Sequence, residues 1–154
     1  MDNEKLGNNT KNKLKTEKKN TKIVEVKNIL KSSNNSNQDK IKFLVKGLCD
    51  TNGLVRRSYA EELGEIGKAA LPDLINALLN SKNVIQRRAA AKTIKLVEDP
   101  EALPYLIRAL TKDSDPVVQF SAAGAIAIFG EAAANHLIIV LKNKKYTEMQ
   151  YGLA

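Results

Sequence analysis

The chain restates one stretch of sequence at a nearly fixed interval, and this repetition constrains its fold more than any other feature. The stretch VRRSYAEELGEIG begins at Val55, and residues of the same character recur 31 and then 32 positions later. Leu63, for example, aligns with Ile94 and Ile126. A second apolar series follows each copy at a similar interval, at Leu74, Leu106 and Leu137. Two apolar helical stripes per repeat indicate stacked helical hairpins rather than one closed core.

The repetition predicts an all-α fold, a right-handed α-α superhelix of about three helical hairpins with an incomplete unit at each end. The complete hairpins are expected at about residues 52–80, 83–112 and 115–143. Within a repeat domain spanning 38–154, the incomplete units are expected at about 38–49 and 147–154.

Before the repeats, the composition changes. Residues 1–21 contain few large apolar groups, so we expect a disordered basic tail. Residues 22–37 are expected to form a short helix and a linker, because an apolar helical pattern there gives way to SSNNSNQ.

The predicted loops carry residues that begin helices. Asn52, Asn83 and Asp115 stand where each first helix should start, and their side chains suit an N-cap. Pro72 and Pro104 fall near the start of second helices, where a missing backbone N–H costs least. The repeat boundaries therefore follow from turn chemistry as well as from the apolar pattern.

These units resemble HEAT repeats, specifically the short PBS-lyase HEAT-like type. The matching residues of the first unit are Asp50, Val55-Arg56, Ala60, Leu63-Gly64 and Ile66-Gly67. The second unit matches over residues 86–91 and 99–104, and the third at Asp113, Asp115-Pro116, Val118, Ala122-Ala123, Ile126 and Gly130. The resemblance implies the fold and says little about activity, because such repeats serve many roles.

One departure concerns the arginine of the family's Val-Arg pair, which often joins a ladder of aspartates between repeats. Arg56 is followed in register by Arg87 and then by Gln119. We therefore expect irregular stacking electrostatics in the third unit.

Composition narrows the possible functions. The only cysteine is Cys49 and the only histidine is His136, so a zinc site lacks its ligand set. No signal peptide or membrane-spanning run is evident, and we expect a cytoplasmic protein without contact to a membrane. With no catalytic residues, metal or cofactor suggested by any motif, the expectation is a protein that is not an enzyme.

The favoured function is a non-enzymatic scaffold that binds another protein. The resemblance implies that second helices line a concave face, whose outward residues would be Asp73, Asn76, Tyr105, Arg108, His136 and Ile139. A second candidate surface lies in the uncharged stretch 116–130, where Phe120, Ala125 and Ile128 fall outside the apolar stripe. This end of the array is a candidate for homo-oligomer formation.

Two alternatives stay open. The net charge of +8, with ten lysines against five acidic residues in residues 1–40, suits a nucleic-acid-binding protein. Its contacts would be the basic tail and the first-helix residues Arg56, Arg57, Arg87, Arg88 and Lys92. The second alternative, implied by the resemblance alone, is a subunit like the chromophore lyases that gave the repeat its name.

Overall fold

The structure is a computed structural model that describes Thr21, Val24 and residues 37–142, with side chains as far as Ile138. Every regular element within residues 37–142 is helical. The α-helices are α1 (Asn37–Gly47), α2 (Gly53–Ile66), α3 (Leu71–Asn80), α4 (Val84–Val97), α5 (Leu103–Lys112), α6 (Pro116–Ile126) and α7 (Glu131–Lys142). Short 3-10 turns at Gly67–Ala70, Pro100–Ala102 and Ala127–Phe129 lead into α3, α5 and α7.

The helices form two layers, as expected for an α-solenoid. The first helices α2, α4 and α6 pack side by side, α2 on α4 and α4 on α6. The second helices α3, α5 and α7 continue the layer begun by α1. The closest pairs across the layers are α1 with α2, α3 with α4 and α5 with α6, each joined by a short loop. These results confirm the predicted all-α solenoid.

The core is built from equivalent positions of successive repeats. Leu63, Ile94 and Ile126 are all buried, with at most 1% of each residue exposed. Leu74 and Leu106 are fully buried in the second-helix layer. Side chains about one repeat apart therefore occupy equivalent environments, which is the condition on which the solenoid prediction depended.

The loops between the layers repeat as well. The Asn52 side chain accepts a hydrogen bond from the Leu54 N–H in the first turn of α2, and Asn83 and Asp115 each accept two from the first turns of α4 and α6. Pro72 and Pro104 occupy the second position of α3 and α5. The predicted caps of α2, α4 and α6 and the predicted prolines of α3 and α5 are thus confirmed.

The side chain after each loop also returns to the preceding helix end. Arg56 donates to the backbone oxygen of Asp50, six residues earlier. Gln119 Nε2 donates in the same way to the oxygen of Asp113, at 2.8 Å. A glutamine amide thus satisfies the same carbonyl as an arginine but brings no charge. The expectation of irregular stacking electrostatics in the third unit concerns that charge and is not contradicted by this contact.

Arg87 makes the equivalent bond, from Nη1 to the Ser81 oxygen at 3.0 Å, and adds an ion pair with the next unit. Its Nε and Nη2 donate to the two carboxylate oxygens of Asp113 at 2.8 and 3.0 Å. One repeat before Asp113, the equivalent loop residue is Ser81. Arg56 therefore has a serine, and not a carboxylate, at the position equivalent to that of Asp113 beside Arg87. The aspartate ladder therefore has one complete rung within residues 37–142.

The turns inside the units need unusual backbone geometry. Gly67 and Gly130 have positive φ, 69° and 51°, with ψ near −130° that essentially only glycine adopts. The corresponding residue in the middle unit is Glu98, with φ 56° and ψ 24°. This glutamate holds a left-handed conformation that L-residues adopt at a cost.

Several predicted segments lie outside the described residues: the basic tail before Thr21, most of the 22–37 helix and linker, and the partial unit 147–154. In the ranges that are described, no helix combines the length and apolar character needed to cross a membrane.

Candidate functional site

A groove of about 590 Å³ lies between α2 and α4 and is bordered by the start of α6. We call it the first-helix groove. Its lining consists of small, apolar and charged residues, namely Gly53, Arg56, Arg57, Ala60, Glu61, Val84, Ile85, Arg88, Ala89, Lys92, Leu96, Asp115 and Val117. The volume lies within the range of about 300–1,000 Å³ typical of small-molecule sites.

Small residues on α2 leave room for the groove. Gly53 and Ala60 line it from α2, and one turn beyond Ala60 stands Gly64. A Cβ on Gly64 would lie 3.0 Å from the Cβ of Leu96, so the glycine allows α4 to approach closely at that end. The two helices are therefore in close contact at Gly64 and Leu96.

The opposite wall is one stripe of α4 that mixes two kinds of side chain. Ile85, Ala89 and Leu96 are apolar, and Arg88 and Lys92 lie between them at three- and four-residue spacings. Ile85 is 38% exposed and Leu96 is 49% exposed. A stripe of exposed aliphatic carbon interrupted by cations is suited to a ligand with an apolar body and acidic groups.

The charges of the groove do not balance. Among the residues that the structure describes, four cationic side chains and two carboxylates line it. The Asp115 carboxylate is already engaged, because its Oδ1 accepts from the N–H groups of Val117 and Val118 at 2.8 and 3.3 Å. Arg88 and Lys92 are exposed and form no ion pair with any described residue.

The two α2 arginines are partly engaged. Arg56 is half-buried and donates to the Asp50 oxygen. Arg57 Nε lies 2.7 Å from Glu61 Oε1 in a four-residue helical pair whose side chains are 76% and 53% exposed. Exposed pairs of this kind contribute little, so an anionic ligand can compete for Arg57.

The structure corrects one residue of the predicted nucleic-acid set. Arg87 faces away from the groove, and its side chain is only 11% exposed in the ion pair with Asp113. Those hydrogen bonds raise the pKa of the Arg87 guanidinium further above its already high ordinary value. Arg87 is a structural residue and is unavailable to phosphate, whereas Arg56, Arg57, Arg88 and Lys92 share one surface. Nucleic-acid binding itself stays a prediction.

The apolar third unit is exposed in part. Phe120 is 64% exposed and Ile128 is 37% exposed, as their place outside the apolar stripe predicts. Ala125 is 1% exposed, so its assignment to this surface is wrong. Ala125 lies three residues after Ala122 and seven after Val118, so it shares the buried face of α6 with them. Homo-oligomer formation at this end stays a prediction.

The predicted second-helix site residues do not form one pocket in the described structure. Asp73 and Asn76 line a smaller depression of about 370 Å³ beside α1, where Asp73 accepts from Gln38 Nε2 at 2.8 Å. Tyr105, Arg108 and His136 are exposed and lie outside both cavities. The side chain of Ile139 lies outside the described ones.

Cys49 borders the same depression, near Lys46. Burial raises the pKa of the Cys49 thiol, so the group stays protonated at neutral pH. Because the thiolate is the reactive form, the structure agrees with a packing role for this cysteine.

The apolar lining residues of the first-helix groove were not among the predicted site residues. Val84, Ile85, Leu96 and Val117 all lie off the buried stripes of their helices, and each is at least 37% exposed. The sequence feature that could have identified Ile85 and Leu96 is their alternation with Arg88 and Lys92 on the outward side of α4.

Comparison with known proteins identifies the family of the repeats. The family model described as HEAT repeats matches residues 71–154, more than half of the chain. The chain belongs to the HEAT repeats family. This match confirms the resemblance seen in the sequence and extends across α3 to α7, on one side of the first-helix groove and beyond it.

Two curated proteins that are similar in sequence to this chain bear on function. Bilin biosynthesis protein MpeU of Synechococcus sp. (strain WH8020) is 46% identical over 119 residues, covering 77% of this chain and 40% of MpeU. Uncharacterized phycocyanin operon protein Z of Pseudanabaena tenuis (strain PCC 7409) is 32% identical over 128 residues, covering 79% of this chain and 63% of that protein. The chain thus spans less than two thirds of either relative.

These relatives correct two predictions. The expectation of a non-enzymatic scaffold is wrong, because a relative at 46% identity is a bilin biosynthesis protein. The expectation that the chain is not an enzyme is wrong for the same reason. The scaffold prediction was based on the repeat fold and on a sequence in which no catalytic motif was identified. The comparisons support the chromophore-lyase alternative instead.

Proposed function

We propose that this chain is a chromophore lyase-like subunit that takes part in attaching a bilin to a phycobiliprotein. The observation that carries the proposal is the 46% identity to a bilin biosynthesis protein over 77% of the chain. The second relative, named for a phycocyanin operon, supports the same pigment context. Location in the cytoplasm remains part of the proposal.

The proposed role of the chain is to hold and orient the chromophore. The first-helix groove offers exposed aliphatic carbon and cations, and its described lining residues include no cysteine, histidine, serine or threonine to act as a nucleophile. The acceptor protein would therefore supply the attacking group. Holding two reactants in a productive geometry is by itself a large source of rate enhancement.

Genetic deletion in the host tests the proposal. Mass spectrometry of phycobiliprotein peptides should show lower bilin occupancy in the deletion strain than in the parent. The parental gene should restore occupancy. Full occupancy at every attachment site in the deletion strain would contradict the proposed function.

A pair of matched variants ties the defect to the groove. Ala60→Leu places three extra carbons in the groove lining and should fail to restore occupancy. Ala132→Leu makes the same change at an exposed position of α7 outside the groove and should restore it. Equal accumulation of the two proteins, measured by immunoblot, is the required control.

A further inference from the structure

We infer that the first-helix groove recognises the carboxylates of a bilin, with Arg88 and Lys92 as their ligands and the ring system lying on the apolar residues of α4 and α6. The inference rests on the proposed function, which supplies the bilin. It adds the place on the molecule, the groups that are recognised and the residues that recognise them.

The apolar part of the groove favours a flat, extended ligand. Ile85, Ala89 and Leu96 follow one stripe of α4, and Val117 continues it on α6 with 44% exposure. Large aliphatic groups arranged together at a groove, rather than scattered singly, mark a binding surface. A bilin is an open chain of four conjugated rings and can lie along such a strip.

The cationic part favours a ligand with two carboxylates. Arg88 and Lys92 are four residues apart on one helix face, a spacing that places their Cβ atoms about 6 Å apart. Neither forms an ion pair with another described residue. The described lining has four cationic side chains and two carboxylates, so the groove has an excess of positive charge. A bilin carries one propionate on each of its two central rings, so its acidic groups lie on one edge of the molecule.

The combination of both parts separates this ligand from a nucleic-acid backbone. Phosphates would use Arg88 and Lys92 but leave Ile85 and Val117 in water. A dicarboxylate with an apolar body uses both. Arginine is especially suited to carboxylate, because its planar guanidinium can donate two parallel hydrogen bonds.

The smaller depression beside α1, lined by Asp73 and Asn76, lacks this combination of exposed aliphatic and cationic side chains. It is smaller, about 370 Å³, and most of its lining side chains are polar, including Asn76, Asn80 and Gln86. Its lysines, Lys42 and Lys46, share the space with Asp73. Lys46 and the exposed Arg108 therefore serve as matched cation controls on the other layer.

Titration with biliverdin and with its dimethyl ester tests the inference, since esterification removes both negative charges and leaves the conjugated rings. Binding is followed by the change in absorbance of biliverdin, or of its diester, on adding the chain. We expect the diacid to bind at least about thirtyfold more tightly than the diester, because two charge-assisted hydrogen-bonding groups are lost. Binding of the diacid should also weaken as salt is raised.

The variants assign the carboxylate ligands. Arg88→Gln and Lys92→Gln should each weaken diacid binding about tenfold and change diester binding less than twofold. Arg108→Gln and Lys46→Gln should leave both affinities unchanged. Glu61→Gln should tighten diacid binding, because it removes a carboxylate from the groove and releases Arg57 from its pair. Circular dichroism checks that each variant folds.

Three outcomes would overturn the inference. Equal affinity for diacid and diester would show that the carboxylates are not recognised, and bilin handling would stand without this site. Loss of affinity in the Arg108 or Lys46 variants, with none in the Arg88 and Lys92 variants, would place the ligand on the other layer. Absence of binding by both forms would overturn the inference and count against the proposed function as well.

Discussion

Replacing Arg87 by methionine should destabilise the fold strongly, although its neighbour Arg88 can be replaced at almost no cost. Arg87 makes two hydrogen bonds to Asp113 and one to the Ser81 oxygen, and the paired side chains are 11% and 7% exposed. Removing the guanidinium leaves a nearly buried carboxylate without its partner. Breaking a buried ion pair typically costs about 3–5 kcal/mol.

We expect about 3 kcal/mol for Arg87→Met, near the low end, because the pair lies at the edge of the core where water can reach the freed carboxylate. A domain of ordinary stability has only about 5–15 kcal/mol to lose. Arg88→Met should stay within about 0.5 kcal/mol of the parent, since Arg88 is exposed and forms no ion pair with a described residue. The two substitutions are chemically identical and adjacent, so the difference isolates the environment.

Urea unfolding followed by circular dichroism at 222 nm measures both variants. With a slope of about 1–3 kcal/mol per M, the Arg87 variant should unfold at a midpoint lower by about 1 M or more. The double variant Arg87→Met, Asp113→Asn should recover part of the loss, because the amide keeps an acceptor for the Asp115 N–H and carries no charge. Equal midpoints for the Arg87 and Arg88 variants would refute the assignment of structural and ligand-binding roles.

Three further predictions follow from individual residues. Gly47→Ala should destabilise the fold by about 1–3 kcal/mol, because the new Cβ would lie 2.6 Å from the buried Tyr59 ring. Gly124→Ala, in open space within α6, should stabilise the fold by up to about 1 kcal/mol. Urea midpoints that move in the same direction for both variants would contradict this. Glu98→Gly should raise the melting temperature, because it relieves a left-handed conformation at φ 56°, and a lower value would count against that reading. Iodoacetamide should alkylate Cys49 more slowly than a free cysteine peptide at pH 8, with the rate rising only at higher pH, since burial raises the pKa of its thiol; equal pH profiles would refute this.

Much of the fold was predictable because the residues that repeat along the sequence are the ones that form the core. Leu63 and Ile94 had to be buried equivalently once the interval was recognised, and Asn83 could be assigned as a cap from its place before an apolar pattern. These are local features, set by helical periodicity and turn chemistry. Regular spacing thus led directly to the solenoid.

The site was less predictable because outward-facing rows look alike in sequence. Arg87 and Arg88 are neighbours of the same type, and only the position of Asp113 in the following loop, 26 residues on, separates a buried rung from a free cation. Ala125 stands three residues after Ala122 and shares its buried helix face, a placement that helical periodicity gives and that the predicted stripe omitted. The choice between the two layers depended on exposure of Ile85 and Leu96, which the helical pattern alone does not give.

The central claim, that a bilin lies in the first-helix groove, is tested most directly by hydrogen–deuterium exchange of the chain with and without biliverdin. We expect slower exchange in peptides from α2 and α4, residues 53–66 and 84–97, with α3 and α5 unchanged. Slower exchange confined to α3 and α5, or no difference at a biliverdin concentration that saturates the absorbance change, would contradict it.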